Sequence, residues 1–250
     1  MQFLLCGICE SKNLKKLEAI RIFQILGISK KKKRKFKFGK SSADLCVNQL
    51  NGSIFASIGN LSNLEHLSLF NNHFTGYLPQ NICHSRQLRN FSVSNNHLTG
   101  PIPKSLKTCM SLFRVRLDGN KLTGNIFEDF GVYPNLYFLD LSHNNFYREI
   151  SRNWGQCPQL ETLLIAGNNL TGSIAPDIGF GRMTSLQKLM LNGNQLSGCI
   201  PLEFGSLIDL EYLDLSSNKF NGFVPSNLGV FLRLYHLNLS NNKFFSQTST

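Results

Sequence analysis

Leu61-Ser-Asn-Leu64-Glu-His-Leu67-Ser-Leu69-Phe-Asn-Asn72-His-Phe74-Thr-Gly76-Tyr-Leu78-Pro79 returns later in the chain as Leu207-Ile-Asp-Leu210-Glu-Tyr-Leu213-Asp-Leu215-Ser-Ser-Asn218-Lys-Phe220-Asn-Gly222-Phe-Val224-Pro225, with every keyed position kept. Units of the same pattern begin at Leu61, Ser85, Cys109, Tyr133, Cys157, Met183, Leu207 and Phe231. The period is 24 residues, apart from a two-residue insertion in Gly179-Phe-Gly-Arg182. A fixed period of this length marks a solenoid, in which each unit packs on its neighbours and no unit buries its apolar face alone.

Each keyed residue has a physical task. Leu67-Ser-Leu69 and Leu213-Asp-Leu215 alternate with period two, the signature of a half-buried strand. Stacked units therefore predict an α/β solenoid with one long parallel sheet on the concave face. Its leucines point inward, at roughly 1.5–3 kcal/mol for each large apolar side chain buried. The twelfth position is asparagine in all eight units: Asn72, Asn96, Asn120, Asn144, Asn168, Asn194, Asn218 and Asn242. Its amide both donates and accepts, so a stack of them can satisfy backbone groups where the chain turns off the sheet. Beyond it, Gly76, Gly100, Gly124, Gly172, Gly198 and Gly222 supply turn conformations closed to other residues, and Pro79, Pro103, Pro201 and Pro225 hold the chain extended.

Leu98-Thr-Gly-Pro-Ile-Pro103 and Leu196-Ser-Gly-Cys-Ile-Pro201 resemble the L-T/S-G-x-I-P element of plant-specific leucine-rich repeats. The likeness is to the ectodomains of plant leucine-rich-repeat receptor-like kinases, and within them to the male-discoverer-interacting receptor group. It implies a right-handed superhelix and covers residues 45–250: a half-repeat at 45–60, seven complete repeats at 61–230 and a truncated one at 231–250. Phe127, Ser151 and Ala175 depart from the proline and Arg148 from the glycine, which predicts a looser convex side in the middle. The family's cysteine-paired N-terminal cap, C-terminal cap, membrane span and kinase domain have no counterpart in these residues, as in a truncated receptor. Uncapped ends are expected to fray or self-associate.

Residues 1–44 form a separate basic segment without the repeat. They hold 12 of the 26 Lys and Arg residues and 3 of the 15 acids, so most of the net charge of +11 sits there. The repeats are near neutral and give no case for nucleic acid. Met1–Cys9 is apolar but too short, and lacks the basic start, for a strong signal peptide. Leu14, Leu17, Ile20, Phe23 and Leu26 suit an amphipathic helix, and the run Lys30–Lys37 reads as a solvated, disordered basic tail, the alternative being a nuclear-import or anionic-surface patch. No stretch approaches the roughly 20 apolar residues of a membrane span.

Seven cysteines leave at least one unpaired. Cys109 and Cys157 share a repeat position that is elsewhere large and apolar, which predicts buried thiols. Cys6-Gly-Ile-Cys9 stands alone and makes no zinc or redox motif. His73 and His97 recur in adjacent units without a third ligand, so neither a metal nor a cofactor is expected. Phosphate loops, zinc-protease helices, nucleophile elbows and kinase loops are all missing, and an enzyme is not indicated. Sequons at Asn51, Asn60, Asn90, Asn169 and Asn238 fit passage through the secretory route.

The outward strand positions carry the candidate ligand-binding residues: Phe70, Arg114, Arg116, Phe138, Asp140, Tyr212 and Asp214. Exposed aromatics with arginine suit protein recognition. Arg114-Val-Arg116 is similar to the paired arginines with which some plant receptor kinases hold a peptide's terminal carboxylate; the alternative is an internal Arg116–Asp140 pair. The resemblance implies a secreted peptide or protein ligand, a co-receptor kinase, and a place at the cell surface. A second function class is a soluble decoy or inhibitor of a microbial wall-degrading enzyme.

Overall fold

The computed structural model describes residues 37–38, 41–174, 179, 182–230 and 232–245. The expectations for Met1–Cys9, the helix at 14–26 and most of the basic run lie outside the described residues, as does Ala175.

Nine parallel strands of three residues each form the concave sheet: Ser42–Asp44, His66–Ser68, Asn90–Ser92, Arg114–Arg116, Phe138–Asp140, Thr162–Leu164, Lys188–Met190, Tyr212–Asp214 and His236–Asn238. Lys37–Phe38 adds an antiparallel strand at the N-terminal edge. The middle residue of each strand faces the core, and Leu67, Phe91, Val115, Leu139, Leu163, Leu189 and Leu213 are buried. The two flanking residues face outward. Ser42–Asp44 lies on the far side of the expected boundary at 44/45, with Ala43 and Leu45 filling the places of Leu67 and Leu69.

A second line of strands follows each turn and runs down the flank. One sheet holds Asn51–Ser53, His73–Tyr77, His97–Gly100, Lys121–Asn125, Asn145–Arg148 and Asn169–Leu170; another holds Ser197–Gly198, Lys219–Gly222 and Lys243–Phe244. A single bridge, Ser173 with Ser197, lies between them. The sequence pointed to loosening around Arg148, but that residue remains in its strand. The break between the two flank sheets falls one unit later, between Asn169–Leu170 and Ser197–Gly198. Short turns of helix complete the convex side. Phe127 sits in the helix Ile126–Asp129, and Ser151 caps the helix Arg152–Gln156 by accepting the Asn153 N–H at 3.4 Å.

Asn120 shows how one unit is tied to the last. Its Nδ2 donates to the carbonyls of Leu117 (3.1 Å) and Asp118 (3.2 Å) in its own turn and to Val93 (3.0 Å) in the preceding unit. Its Oδ1 accepts the Leu98 N–H of the preceding unit at 3.0 Å. The same backward acceptance occurs at all eight asparagines, from Leu50 N–H on Asn72 to Phe220 N–H on Asn242. Asn48 occupies the same place one unit earlier, donating to Leu45 and Cys46 carbonyls.

The residue before each ladder asparagine is left-handed. Val47, Asn71, Asn95, Gly119, His143, Gly167, Gly193, Ser217 and Asn241 have φ between 53° and 67°. This bend lets the asparagine turn back beneath its own strand.

The cysteine expectation needs correction. Cys109 is no thiol: it forms a disulfide with Cys83, 26 residues upstream, and both are buried. The equivalence with Cys157 misled, because the partner, Cys83, stands on the convex turn at the end of the unit that begins at Leu61, and the stack brings it against Cys109. Cys157 is the buried free thiol, its sulfur accepting the Tyr133 N–H, and burial raises its pKa. Cys199 is exposed.

Candidate ligand-binding face

The concave strands set their outward side chains in rows, because register pairs each residue with its equivalent in the next unit. Neighbours within a row, one per strand, stand about 4.8 Å apart. The row at the start of the strands reads His66, Asn90, Arg114, Phe138, Thr162, Lys188, Tyr212 and His236, all half-buried. Within it are two clusters. Arg114 lays its guanidinium over the Phe138 ring, 3.5 Å from the centroid. Lys188 Nζ stands 4.2 Å from the Tyr212 centroid, and His236 stacks on the opposite neighbour side at 3.9 Å and 6°. Thr162 separates them. Neighbouring strands hold cation and ring in these pairs before any ligand arrives, so their geometry is pre-set.

Arg116 is used differently. Its Nε and one terminal nitrogen each lie 3.3 Å from an Asp118 carboxylate oxygen, so the fork closes on the turn of its own unit. Asp118 also accepts the Ser94 hydroxyl at 2.5 Å. Sequence reading missed Asp118; its signal was its place two residues beyond Arg116, which brings a carboxylate back under the guanidinium at the turn.

Asp140 and Asp214 belong to their turns. They are 6% and 7% exposed, and each accepts the N–H of the serine two residues on, Ser142 at 3.0 Å and Ser216 at 2.9 Å. Burial, with the Asp118 charge beside it, pushes the Asp140 pKa up to about 6; Ser142 and Arg116 oppose the rise. The structure therefore gathers Arg114, Arg116, Phe138 and Asp140 in one cluster, with Tyr212 and Asp214 three strands further along. Phe70 is half-buried in the turn of a strand two places before Arg114, apart from both clusters.

Among the sequons, Asn51, Asn60 and Asn169 are exposed off the concave face. Asn90 and Asn238 stand on it, and Asn238 Oδ1 accepts both the N–H and hydroxyl of Ser240. His73 and His97 stack on the flank with ring centroids 5.9 Å apart. Among the described residues no group of three or more His, Cys, Asp or Glu is placed to hold a metal, and no helix is long and apolar enough to cross a membrane.

The comparisons with known proteins agree with this architecture. A leucine rich repeat family model matches residues 158–220, and a single-repeat one matches 63–85, 87–109 and 135–157. The chain is a leucine-rich-repeat domain. No curated protein sequence matches it. Among solved structures, the domain is similar to PEPR1–AtPEP1, at 36% identity and TM-score 0.77 over 82% of this chain and 28% of that one. A TDR receptor is 33% identical, with TM-score 0.77 over 83% and 35%. The Arabidopsis receptor kinase HAESA, in complex with the peptide hormone IDA and the co-receptor SERK1, is 33% identical, with TM-score 0.67 over 82% and 38%. The domain thus spans 28–38% of the length of these receptor chains. Its fold is that of ligand-binding ectodomains of plant receptor kinases rather than of a catalytic domain.

Proposed function

We propose that this leucine-rich-repeat domain binds an extended peptide or protein segment across its concave strands, as the recognition part of a plant cell-surface receptor-like kinase. The observation that carries the reading is the pair of cation–ring clusters, Arg114 on Phe138 and Lys188 on Tyr212, on adjacent strands of one outward row. Rigid aromatic surface with a positive rim is what recognition sites place at their energetic centre. A strand surface also suits an extended ligand running across it. The receptor kinase HAESA, similar in fold, is described in complex with a peptide hormone and a co-receptor. A peptide ligand and a co-receptor kinase are accordingly the partners proposed here. The buried Cys83–Cys109 disulfide fits an oxidising, extracellular setting, as do the exposed sequons.

Of the two arginines, Arg114 is the better donor to a ligand carboxylate, since Asp118 holds the Arg116 fork. Panning a library of random linear peptides against the full chain tests the reading. Selected peptides are expected to lose binding to the Arg114→Ala, Phe138→Ala and Tyr212→Ala variants while binding Lys219→Ala, altered on the flank, unchanged. Binding indifferent to all three concave substitutions would overturn it.

A further inference from the structure

Two of the five sequons, Asn90-Phe-Ser92 and Asn238-Leu-Ser240, belong to the concave surface itself. In each, the asparagine and the hydroxyl face outward two residues apart, with an apolar residue of the core between them. Register places Asn90 between His66 and Arg114, one strand before the first cation–ring cluster. Asn238 lies beside Asp214, in the strand whose His236 backs Tyr212 and ends the second cluster. The five strands between them carry no sequon on their outward side. Asn51, Asn60 and Asn169 leave the face clear.

Both amides can carry a sugar without loss to the fold. Among the described residues the Asn90 side chain makes no hydrogen bond. Arg114, its neighbour in the row, lies over Phe138 on the far side and leaves the space above Asn90 open. Asn238 holds Ser240 through Oδ1 alone. Its Nδ2 donates to Asp214 at 3.5 Å, a bond that needs one of its two hydrogens. A ladder asparagine differs on both counts: Asn96 is 5% exposed and spends its Nδ2 hydrogens on the Leu69 and Val93 carbonyls.

We propose that Asn90 and Asn238 carry N-linked glycans, and that these two sugars set the limits of the ligand footprint on the concave face. The proposal rests on the peptide-binding reading above and adds where that site begins and ends. In the modification, Nδ2 bonds to the anomeric carbon of a lipid-linked oligosaccharide diphosphate. The lipid diphosphate leaves with the electrons of the broken C–O bond, and Nδ2 gives up one proton. A glycan is bulky and hydrated, so it covers the strand that bears it and keeps a peptide off the strands beyond. Six strand spacings, about 29 Å, separate the two glycan-bearing strands. That interval accepts about eight extended residues.

The test uses the full chain secreted from a eukaryotic host. After release of the sugars by peptide N-glycosidase, mass spectrometry is expected to read Asn90 and Asn238 as aspartate. Random linear peptides selected on the glycan-bearing chain should weaken about tenfold or more with Phe138→Ala or Tyr212→Ala, and less than twofold with His66→Ala, one strand outside the limit. Ser92→Ala keeps Asn90 but removes its sugar; Asn90→Gln serves if that variant loses its circular dichroism. Peptides reselected on it should include some that His66→Ala weakens about tenfold. Unmodified Asn90 or Asn238 would overturn the limit at that end, whatever the peptides do. Peptides from the glycan-bearing chain that depend on His66 would overturn it too, as would a Ser92→Ala selection that never reaches His66; both leave the peptide-binding reading standing. A library that yields no binder removes that reading and the footprint with it.

Discussion

Arg148 holds a backbone conformation that the equivalent position in seven other units gives to glycine. Its φ is 72°, against 76–82° at Gly52, Gly76, Gly100, Gly172, Gly198 and Gly222 and 142° at Gly124. A side chain pays roughly 1–2 kcal/mol for that region, partly offset by the unfolded-state freedom glycine would add. Arg148→Gly is therefore expected to stabilise the domain by about 0.5–1 kcal/mol in urea denaturation. Gly100→Ala should do the reverse more severely, because its Cβ would also lie 2.5 Å from a Tyr77 ring carbon. The ladder offers a harsher test: Asn120→Ala strands the Leu98 N–H and removes one of the two amides that donate to the Val93 carbonyl, and should cost about 1–3 kcal/mol. Asp140 gives the pH test. Its native pKa stands above the ordinary carboxylate value, so the native state binds more protons than the unfolded chain between about pH 4 and 6. Its contribution is most favourable below about pH 4 and is lost as pH climbs through about 6, by an amount on the order of 3 kcal/mol. Asp140→Asn keeps an acceptor for Ser142 and should flatten that decline, gaining stability at pH 7 but not at pH 4.

At the scale of the element, the Cys83–Cys109 bond ties the convex turn of one unit to the start of the unit after next. Closing a loop of this length stabilises by about 3 kcal/mol in the chain-entropy account. Cys83→Ser with Cys109→Ser is expected to lower the thermal midpoint, and adding reductant to the native chain should reproduce the drop; calorimetry with and without reductant decides it. This element also marks where sequence reading ends. Strands were legible because Leu67 and Leu69 alternate, and the ladder because asparagine recurs at one position. The left-handed bend before it was not, since residues as different as Val47, Gly119 and Ser217 occupy it and its geometry is set by the turn around it. The disulfide escaped for a related reason: Cys83 lies outside the keyed positions, and only stacking brings it to Cys109. On the face, the outward rows could be written from period alone. Which arginine stays available could not, because it depends on Asp118 folding back at a turn.

Across the described repeats, stability is a chain of contacts between neighbours, weaker where a repeat buries less. Leu163, Leu189 and Leu213 have no exposed surface, whereas Leu237, at the same place in the last described strand, is 45% exposed. The sole tryptophan, Trp154, is fully buried mid-stack, edge-on to Phe130 at 5.9 Å. Its fluorescence should therefore change at higher denaturant than the far-ultraviolet circular dichroism, which also counts the terminal repeats; coincident midpoints would show a single cooperative unit instead. The asparagine bonds add a direction to this picture. Each reaches back 22 to 29 residues, to a turn that is otherwise unfinished. On a ribosome, a repeat thus waits for the next asparagine to emerge before its own bend is sealed. At the usual 5–20 residues per second that delay is about 1–6 s for every turn of the solenoid. The domain is assembled like a zip, closed from behind by what is made last.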